Sequence, residues 1–201
     1  LQAARKIRTR AKGLFLRARQ YGIRALDLDH SGFSAAIFTD PAVALEGMER
    51  KDVAALYWTG VAWGSAISAA KSDMSLIGDL PIVTAIMEKA LQLDPDWHNG
   101  AIHEFFIIYH STRSEADGGG LASVEEHFKR AMALNQGRSI NPLILLAESA
   151  CIKQQNRQRF EILLKQALAF DANQYPEYRL ANIMAQRKAR YLLDNVDELF
   201  Y

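Results

Sequence analysis

Apolar residues recur along this chain at intervals of three and four, the spacing that places side chains on one face of an α-helix. The clearest stripe lies near the start of the chain, and its members are Ile7, Ala11, Leu14, Ala18, Tyr21, Ala25 and Leu28. It predicts a first helix from about Ala3 to Leu28, which the sequence His30-Ser31-Gly32 ends. No segment alternates apolar and polar residues between turns as a half-buried strand does, so the predicted fold is all-α.

Acidic residues, asparagines and prolines mark the starts of the later helices. The predicted starts are Asp40-Pro41 for a short helix to about Arg50, Asp52, Asp79-Leu80-Pro81, Asp96, Ser123, Asn141-Pro142, Asn156 and Tyr175-Pro176. Asp40, Asp52 and Asp79 are predicted N-caps, and Ser123 with Glu126 has the spacing of a capping box. The pattern therefore predicts a series of helices separated by short turns.

One helical segment recurs twice as an imperfect sequence repeat. Residues 87–95 resemble 128–135 and 164–171, and each contains a central alanine, namely Ala90, Ala131 or Ala167. A period near 34 residues, with a large apolar residue and an alanine before a turn, is typical of the second helix of a tetratricopeptide unit. We therefore predict a single domain over 1–201, with N-terminal helices in 1–50 and three to four tetratricopeptide-like helical hairpins in 52–194. Such arrays usually bind other molecules.

Composition excludes several classes of protein. The 201 residues are 49% hydrophobic, which favours a folded core. Their formal net charge is only +1, so the overall charge does not indicate an acidic partner. No nucleic-acid-reading motif is present, and the one cysteine, Cys151, cannot form an internal disulfide. No apolar run approaches the roughly 18 residues of a membrane span. The chain begins at Leu1 without methionine, so we expect that an N-terminal signal or lipid-anchor segment precedes it.

Charge is unevenly distributed. Eight cations precede the first acid, Asp27: Arg5, Lys6, Arg8, Arg10, Lys12, Arg17, Arg19 and Arg24. Two interpretations stay open. The first helix is either an amphipathic helix that docks on the core with a solvated basic face, or a site for a membrane surface or an acidic partner.

The chain offers no motif of a common enzyme class. Histidines crowd one predicted helix, but His103 and His110 lie seven residues and about 10 Å apart, too far to share a metal. A metal-dependent hydrolase is therefore a distant alternative, and we expect no metal and no cofactor. Gly118-Gly119-Gly120 lacks the lysine that follows a phosphate-binding loop. For His103 and Glu104 we predict buried polar partners on other helices.

Aromatic residues cluster on two of the predicted helices. Tyr57, Trp58 and Trp63 lie on one, and Trp97, Phe105, Phe106 and Tyr109 lie on the first helix of the next unit. Either all of them are packing residues, or they line an apolar groove or tunnel for a hydrophobic ligand or a partner's side chain.

Four segments together resemble a known family. They are 54–64 (AALYWTGVAWG), 77–91 (IGDLP to MEKAL), 100–105 (GAIHEF) and 179–187 (RLANIMAQR). In this order and spacing they are similar to the T component of TRAP transporters, the TatT-type family. The resemblance extends from about Gly13 to Phe200.

The resemblance implies a periplasmic, lipid-anchored, tetratricopeptide-like protein that forms trimers. It implies a non-enzymatic accessory role in solute uptake, docking of the substrate-binding (P) component, and a tunnel for a hydrophobic ligand. A generic tetratricopeptide-type interaction scaffold in another envelope complex is the alternative. The matching positions are Trp58, Trp63, Asp79, His103, Glu104, Asn182 and Arg187, and the predicted lining adds Tyr57, Phe105, Phe106 and Tyr109.

Overall fold

The computed structural model describes residues 2–201, which form helices and no strand, so the prediction of an all-α protein is confirmed. The chain divides into two compact units, an N-terminal unit of residues 1–97 and a C-terminal unit of residues 98–201. The predicted hairpin repeat and the single domain over 1–201 stay predictions. None of the helices in residues 2–201 has both the length and the apolar composition that a membrane span requires.

The N-terminal unit is built around one central helix. Its helices are α1 (Gln2–Asp29), α2 (Phe33–Thr39), α3 (Pro41–Leu45), α4 (Val53–Ala69), α5 (Met74–Gly78) and α6 (Leu80–Leu93). The apolar helix α4 packs against α1 on one side and α6 on another. Its residues Leu56 and Trp63 are fully buried, so this helix forms the centre of the unit's core.

Glycines allow the close approach of the helices to α4. A Cβ atom on Gly22 of α1 would lie 2.1 Å from Thr59 Oγ1, and one on Gly60 of α4 would lie 2.5 Å from Met87 Sδ. Glycine within a helix costs about 1 kcal/mol relative to alanine. The packing of α1 and α6 on α4 offsets that cost.

The C-terminal unit contains the remaining helices. They are α7 (Trp97–Ser111), which begins at the boundary, α8 (Leu121–Asn135), α9 (Asn141–Leu146), α10 (Arg157–Ala169), α11 (Arg179–Asp194) and α12 (Val196–Leu199). A π-helical segment, Ala147–Cys151, continues α9. Phe160 and Leu164 of α10 and Leu146 of α9 are fully buried in the core of this unit.

The first residues of α7 depart from helical geometry. His98, Asn99 and Gly100 have φ of 48°, 56° and 93°, all in the left-handed region. A Cβ atom on Gly100 would lie 3.1 Å from the backbone of Ala131, so this position favours glycine for both its conformation and its packing. The regular part of α7 therefore begins after Gly100, later than the predicted start at Asp96.

Some predicted caps are present. The side chain of Asp40 accepts hydrogen bonds from the amides of Ala42 and Val43, and that of Asn156 accepts one from Arg159. Both residues satisfy backbone donors that a helix start leaves without partners.

Other predicted caps and helix boundaries differ from the structure. Helix α8 begins at Leu121, and the Ser123 hydroxyl donates to the Gly119 carbonyl, so Ser123 with Glu126 forms no capping box. Helix α3 ends at Leu45 rather than near Arg50. Asp52 does not cap α4 with its side chain; its carboxylate accepts from the Glu49 amide at 2.8 Å instead.

Helix α1 docks on the core, as one of the two interpretations expected, but the predicted stripe is not the docked face. Ile7, Leu14, Tyr21 and Leu28 are 70%, 47%, 61% and 87% exposed. Helix α1 packs on α4 through another face, on which Ile23 and Leu26 are buried and Phe15, Leu16 and Arg19 are partly buried. Gly22 belongs to the same helix and allows α1 to approach Thr59 of α4 closely.

Candidate functional site

The predicted site residues divide between the two units. Tyr57, Trp58, Trp63 and Asp79 belong to the N-terminal unit; His103, Glu104, Phe105, Phe106, Tyr109, Asn182 and Arg187 belong to the C-terminal unit.

Trp63 is the centre of a polar cluster inside the N-terminal unit. Its side chain is fully buried on α4, and its indole Nε1 donates to Asp79 Oδ2 at 3.0 Å. The Arg19 guanidinium carbon lies 4.6 Å from the Trp63 ring centre, and its Nη1 lies 3.6 Å from Asp79 Oδ2. Burial lowers the pKa of Arg19, and the Asp79 carboxylate opposes that shift.

This contact corrects the prediction for Asp79 as a helix cap. Asp79 makes no capping hydrogen bond with its side chain to the backbone of α6. It uses its carboxylate on Trp63 and Arg19 instead. The residue before Leu80-Pro81 therefore links α1, α4 and the start of α6.

A second aromatic group lies nearer the surface of the same unit. Tyr57 packs edge-on to Trp58 at 5.1 Å and against Trp97 at 4.5 Å between ring centres. Trp58 is 59% exposed, whereas Tyr57 and Trp97 are partly buried. We call Tyr57, Trp58 and Trp97 the aromatic patch. It presents apolar surface with an indole N–H, a combination that is frequent at protein interfaces.

Two histidines meet in the C-terminal unit. His103 Nδ1 of α7 lies 2.8 Å from His127 Nδ1 of α8. The His127 ring also stacks with Phe106 at 5.0 Å and with His110 at 5.1 Å. Burial, and next the nearby imidazoles of His103 and His110, lower the pKa of His127 to about 4. His127 is therefore neutral at neutral pH.

Glu104 has a buried polar contact of its own. Asn141 Nδ2 at the start of α9 donates to Glu104 Oε2 at 2.6 Å. Burial raises the pKa of Glu104 to about 7, and the hydrogen bond from Asn141 partly opposes it. The prediction that His103 and Glu104 have polar partners on other helices is confirmed, with His127 and Asn141 as those partners.

The other aromatic side chains of α7 pack against one another along the helix. The Phe105 and Tyr109 rings are stacked 6.0 Å apart, and the Arg113 guanidinium lies 5.1 Å from the Tyr109 ring centre. Phe106 is buried, whereas Phe105 and Tyr109 are partly exposed. This face of α7 presents apolar rings beside a cation.

The two predicted residues on α11 have different surroundings. Asn182 is fully buried; its Oδ1 accepts from the Ile140 amide at 3.1 Å, and its Nδ2 donates to the Arg138 carbonyl at 2.8 Å. It thereby fixes the turn before α9. Arg187 is exposed.

Within residues 2–201, no three His, Cys, Asp or Glu side chains are grouped so that they could hold a metal ion. An open groove of about 740 Å³ lies between α3 and α6, beside Val43 and Lys89. A smaller cavity of about 190 Å³ lies beside Val124 and Lys153. None of the predicted aromatic residues lines either space.

Several contact residues were not predicted from the sequence. Arg19 stood among eight cations, and no local signal separated it from the solvated ones. His127 and Asn141 lie 24 and 37 residues from His103 and Glu104, respectively. Local periodicity carries no information on contacts at such separations.

The chain is similar to a known protein family and to a protein of another organism. The model of the family described as TRAP transporter T-component matches residues 1–200. An uncharacterized protein of Treponema pallidum (strain Nichols) is 26% identical over 203 aligned positions, which cover 99% of this chain. The chain spans 63% of the length of that relative.

Proposed function

This chain belongs to the TRAP transporter T-component family, and on that premise we propose that it is a non-enzymatic accessory component of a TRAP-type solute uptake system. The family match over residues 1–200 is the observation that carries this proposal. The protein acts in the periplasm as a lipid-anchored protein, and it docks the substrate-binding component of the transporter.

The aromatic patch is the docking surface that we propose in the N-terminal unit. Trp58 is 59% exposed and is held by the ring of Tyr57, so its surface is available at a low cost in side-chain entropy. Tryptophan and tyrosine are enriched among the residues that dominate binding energy at interfaces.

We further propose a hydrophobic ligand at the partly exposed face of α7 in the C-terminal unit. Phe105 and Tyr109 supply stacked rings there, and Arg113 lies against Tyr109. This combination suits an apolar molecule with an acidic or polar end. His103 and Glu104 support this face through their contacts with α8 and α9, and Asn182 holds the turn before α9. The protein assembles as a trimer. Arg187 is exposed and remains a candidate contact for the partner.

The docking proposal is tested by calorimetric titration of the purified chain with the substrate-binding component of the TRAP system from the same organism. Trp58→Ala is expected to weaken binding at least tenfold, which corresponds to the loss of an interface hot spot. Met74→Ala is the matched control, because Met74 is also exposed in the N-terminal unit, at 74%, but lies outside the aromatic patch.

Absence of binding to the substrate-binding component would contradict the docking proposal. It would favour the alternative of a tetratricopeptide-type scaffold for another envelope complex. A transport assay separates the two further, since deletion of a TRAP accessory component lowers uptake of the transporter's substrate, whereas deletion of an unrelated scaffold does not. Sedimentation equilibrium tests the trimer.

A further inference from the structure

Helix α1 carries an exposed stripe that follows a strict seven-residue repeat. Large apolar residues occupy one position of each heptad and alanines occupy another; the large residues are Ile7, Leu14, Tyr21 and Leu28, and the alanines are Ala4, Ala11, Ala18 and Ala25. All eight are exposed except Ala11, which is partly buried. We call these eight residues the heptad stripe.

The seven-residue repeat indicates that the partner of the heptad stripe is another helix. A spacing of 3.5 residues keeps a narrow seam facing one partner helix, and alanine at alternate positions allows the two backbones to approach closely. A helix that lies on a membrane has a wider apolar face with several large side chains. Here only two of every seven positions are apolar on the exposed side, and one of these two is alanine.

Charge specifies the partner further. Arg10, Arg17 and Arg24 are also spaced by seven residues, and each lies one turn from two large residues of the heptad stripe. All three are exposed, and the guanidinium of Arg24 lies 5.7 Å from the Tyr21 ring centre. No carboxylate in the part of the chain that the structure describes forms an ion pair with them. We call these residues the arginine row.

The other cations on this helix differ in that respect. Lys12 pairs with Asp73 at 2.7 Å, and Arg19 lies near Asp79. They belong to the face that packs on α4. The arginine row is therefore a separate charged edge, which has no ion pair with the described carboxylates and lies beside an exposed apolar seam.

A second copy of α1 does not supply the missing charge. In an antiparallel pair the arginine rows would face each other, because equivalent flanking positions meet across the seam. In a parallel pair the row would face Arg8, Phe15, Gly22 and Asp29, which include a single acid. Like charges across a helix pair are destabilising, so the complementary partner is a different helix with acidic residues along its flank.

We propose that α1 is a docking helix that pairs, through the heptad stripe, with an amphipathic helix of another protein whose flank beside the arginine row carries aspartate or glutamate. This surface goes beyond the proposed role in TRAP transport. Binding of peptides to the full chain tests it without any component of the transporter.

The test uses two synthetic peptides and the full chain. Both peptides have four heptads with alanine and leucine at the seam; one carries glutamate and the other lysine at the flanking positions. Fluorescence anisotropy of the labelled peptides is expected to show at least tenfold tighter binding of the acidic peptide, with the difference reduced at high salt. Equal binding of both peptides, or no binding of the acidic one, would overturn the proposal.

Variants of the chain identify the surface. Arg10→Glu, Arg17→Glu and Arg24→Glu together are expected to reverse the preference toward the lysine peptide. The control reverses three other exposed cations, Arg5, Lys71 and Lys129, to glutamate and leaves the preference unchanged. Reversal by the control variant would show that net charge rather than the arginine row selects the peptide, and would contradict the proposal.

Leu14→Glu tests the seam and separates the other occupants. Because Leu14 is 47% exposed, the variant is expected to fold, which circular dichroism checks, and to bind the acidic peptide at least tenfold more weakly. Two results would overturn the proposal in favour of another occupant. One is co-sedimentation with phosphatidylserine vesicles that Leu14→Glu abolishes while peptide binding is unchanged. The other is an oligomer of the wild-type chain that Leu14→Glu dissociates while peptide binding is unchanged.

Discussion

Asp79 Oδ2 accepts a hydrogen bond from the indole nitrogen of Trp63 at 3.0 Å, inside the core of the N-terminal unit. The same oxygen lies 3.6 Å from Arg19 Nη1. Hydrogen bonds to charged groups contribute about 1.5–3 kcal/mol each, and a buried donor without its acceptor is costly. One carboxylate therefore holds α1 and α4 to the start of α6.

Asp79→Ala is expected to lower the free energy of unfolding by about 2–3 kcal/mol, because the indole N–H loses its acceptor and Arg19 loses a nearby acid. Urea denaturation followed by circular dichroism measures the loss. Glu88→Ala, an exposed acid on α6, is the control and should change stability by less than about 0.5 kcal/mol. In a double-mutant cycle with Trp63→Phe, strictly additive effects would show that the hydrogen bond contributes nothing.

Trp63→Ala is expected to cost about 3–5 kcal/mol of stability, since the side chain is fully buried against Phe38 and beneath Arg19. Trp58→Ala, five residues earlier on the same helix, should cost far less because Trp58 is 59% exposed. The same denaturation experiment compares the two. A loss in the higher range at Trp63 would argue against its predicted role in lining a tunnel, and a small loss would contradict its packing in the core.

Gly22→Ala is expected to destabilise the chain by about 1–3 kcal/mol, because the new methyl group would lie 2.1 Å from Thr59 Oγ1 and force α1 away from α4. Gly13→Ala on the same helix has nothing within 4 Å of the new atom and should instead stabilise by about 0.4–1 kcal/mol. The opposite signs are checked by the melting temperatures of the two variants. If Gly22→Ala also stabilises, the close approach of α1 and α4 is incorrect.

The lowered pKa of His127 predicts a loss of stability in acid. Its pKa falls from 6.5 to about 4 on folding, so between these values the unfolded chain binds more protons. Stability from this residue is thus present above pH 6.5 and is lost as pH falls through 4. His127→Phe keeps a ring for the stack with Phe106 and removes the titration. Denaturation at several pH values should show that this variant loses less stability from pH 6.5 to 4 than the wild type does.

The raised pKa of Glu104 predicts the opposite dependence. Its pKa rises from 4.5 to about 7 on folding, so the folded chain binds more protons between these values. Stability from this residue is present below pH 4.5 and is lost as pH rises through 7. Glu104→Gln retains an oxygen that can accept from Asn141 and removes the titration. This variant should lose less stability than the wild type between pH 4.5 and 7; an unchanged curve would contradict the raised pKa.

The sequence predicted those parts of the fold that depend on neighbouring residues. Proline beside an acid or amide, as at Asp40 and Asn141, marked helix starts because such side chains or rings suit the first turn. Asp52 and Asp79 carried a similar signal, yet their carboxylates serve other partners. An acidic residue before a helix indicates only that its carboxylate can cap the first turn. A tertiary partner can compete for the same oxygen.

Sequence alone determined that the chain is helical and where most helices begin. It also identified His103 and Glu104 as residues with polar partners in the interior. Only the tertiary structure decided which face of α1 is buried, that Arg19 rather than another cation meets Trp63, and that His127 and Asn141 are the partners on α8 and α9. The physical reason is that helical periodicity depends on near neighbours in the sequence, whereas burial depends on which surfaces fit together between residues tens of positions apart. The regular stripe of α1 stayed exposed because α1 packs on α4 through another face, on which Ile23 and Leu26 are buried and Gly22 lies close to Thr59.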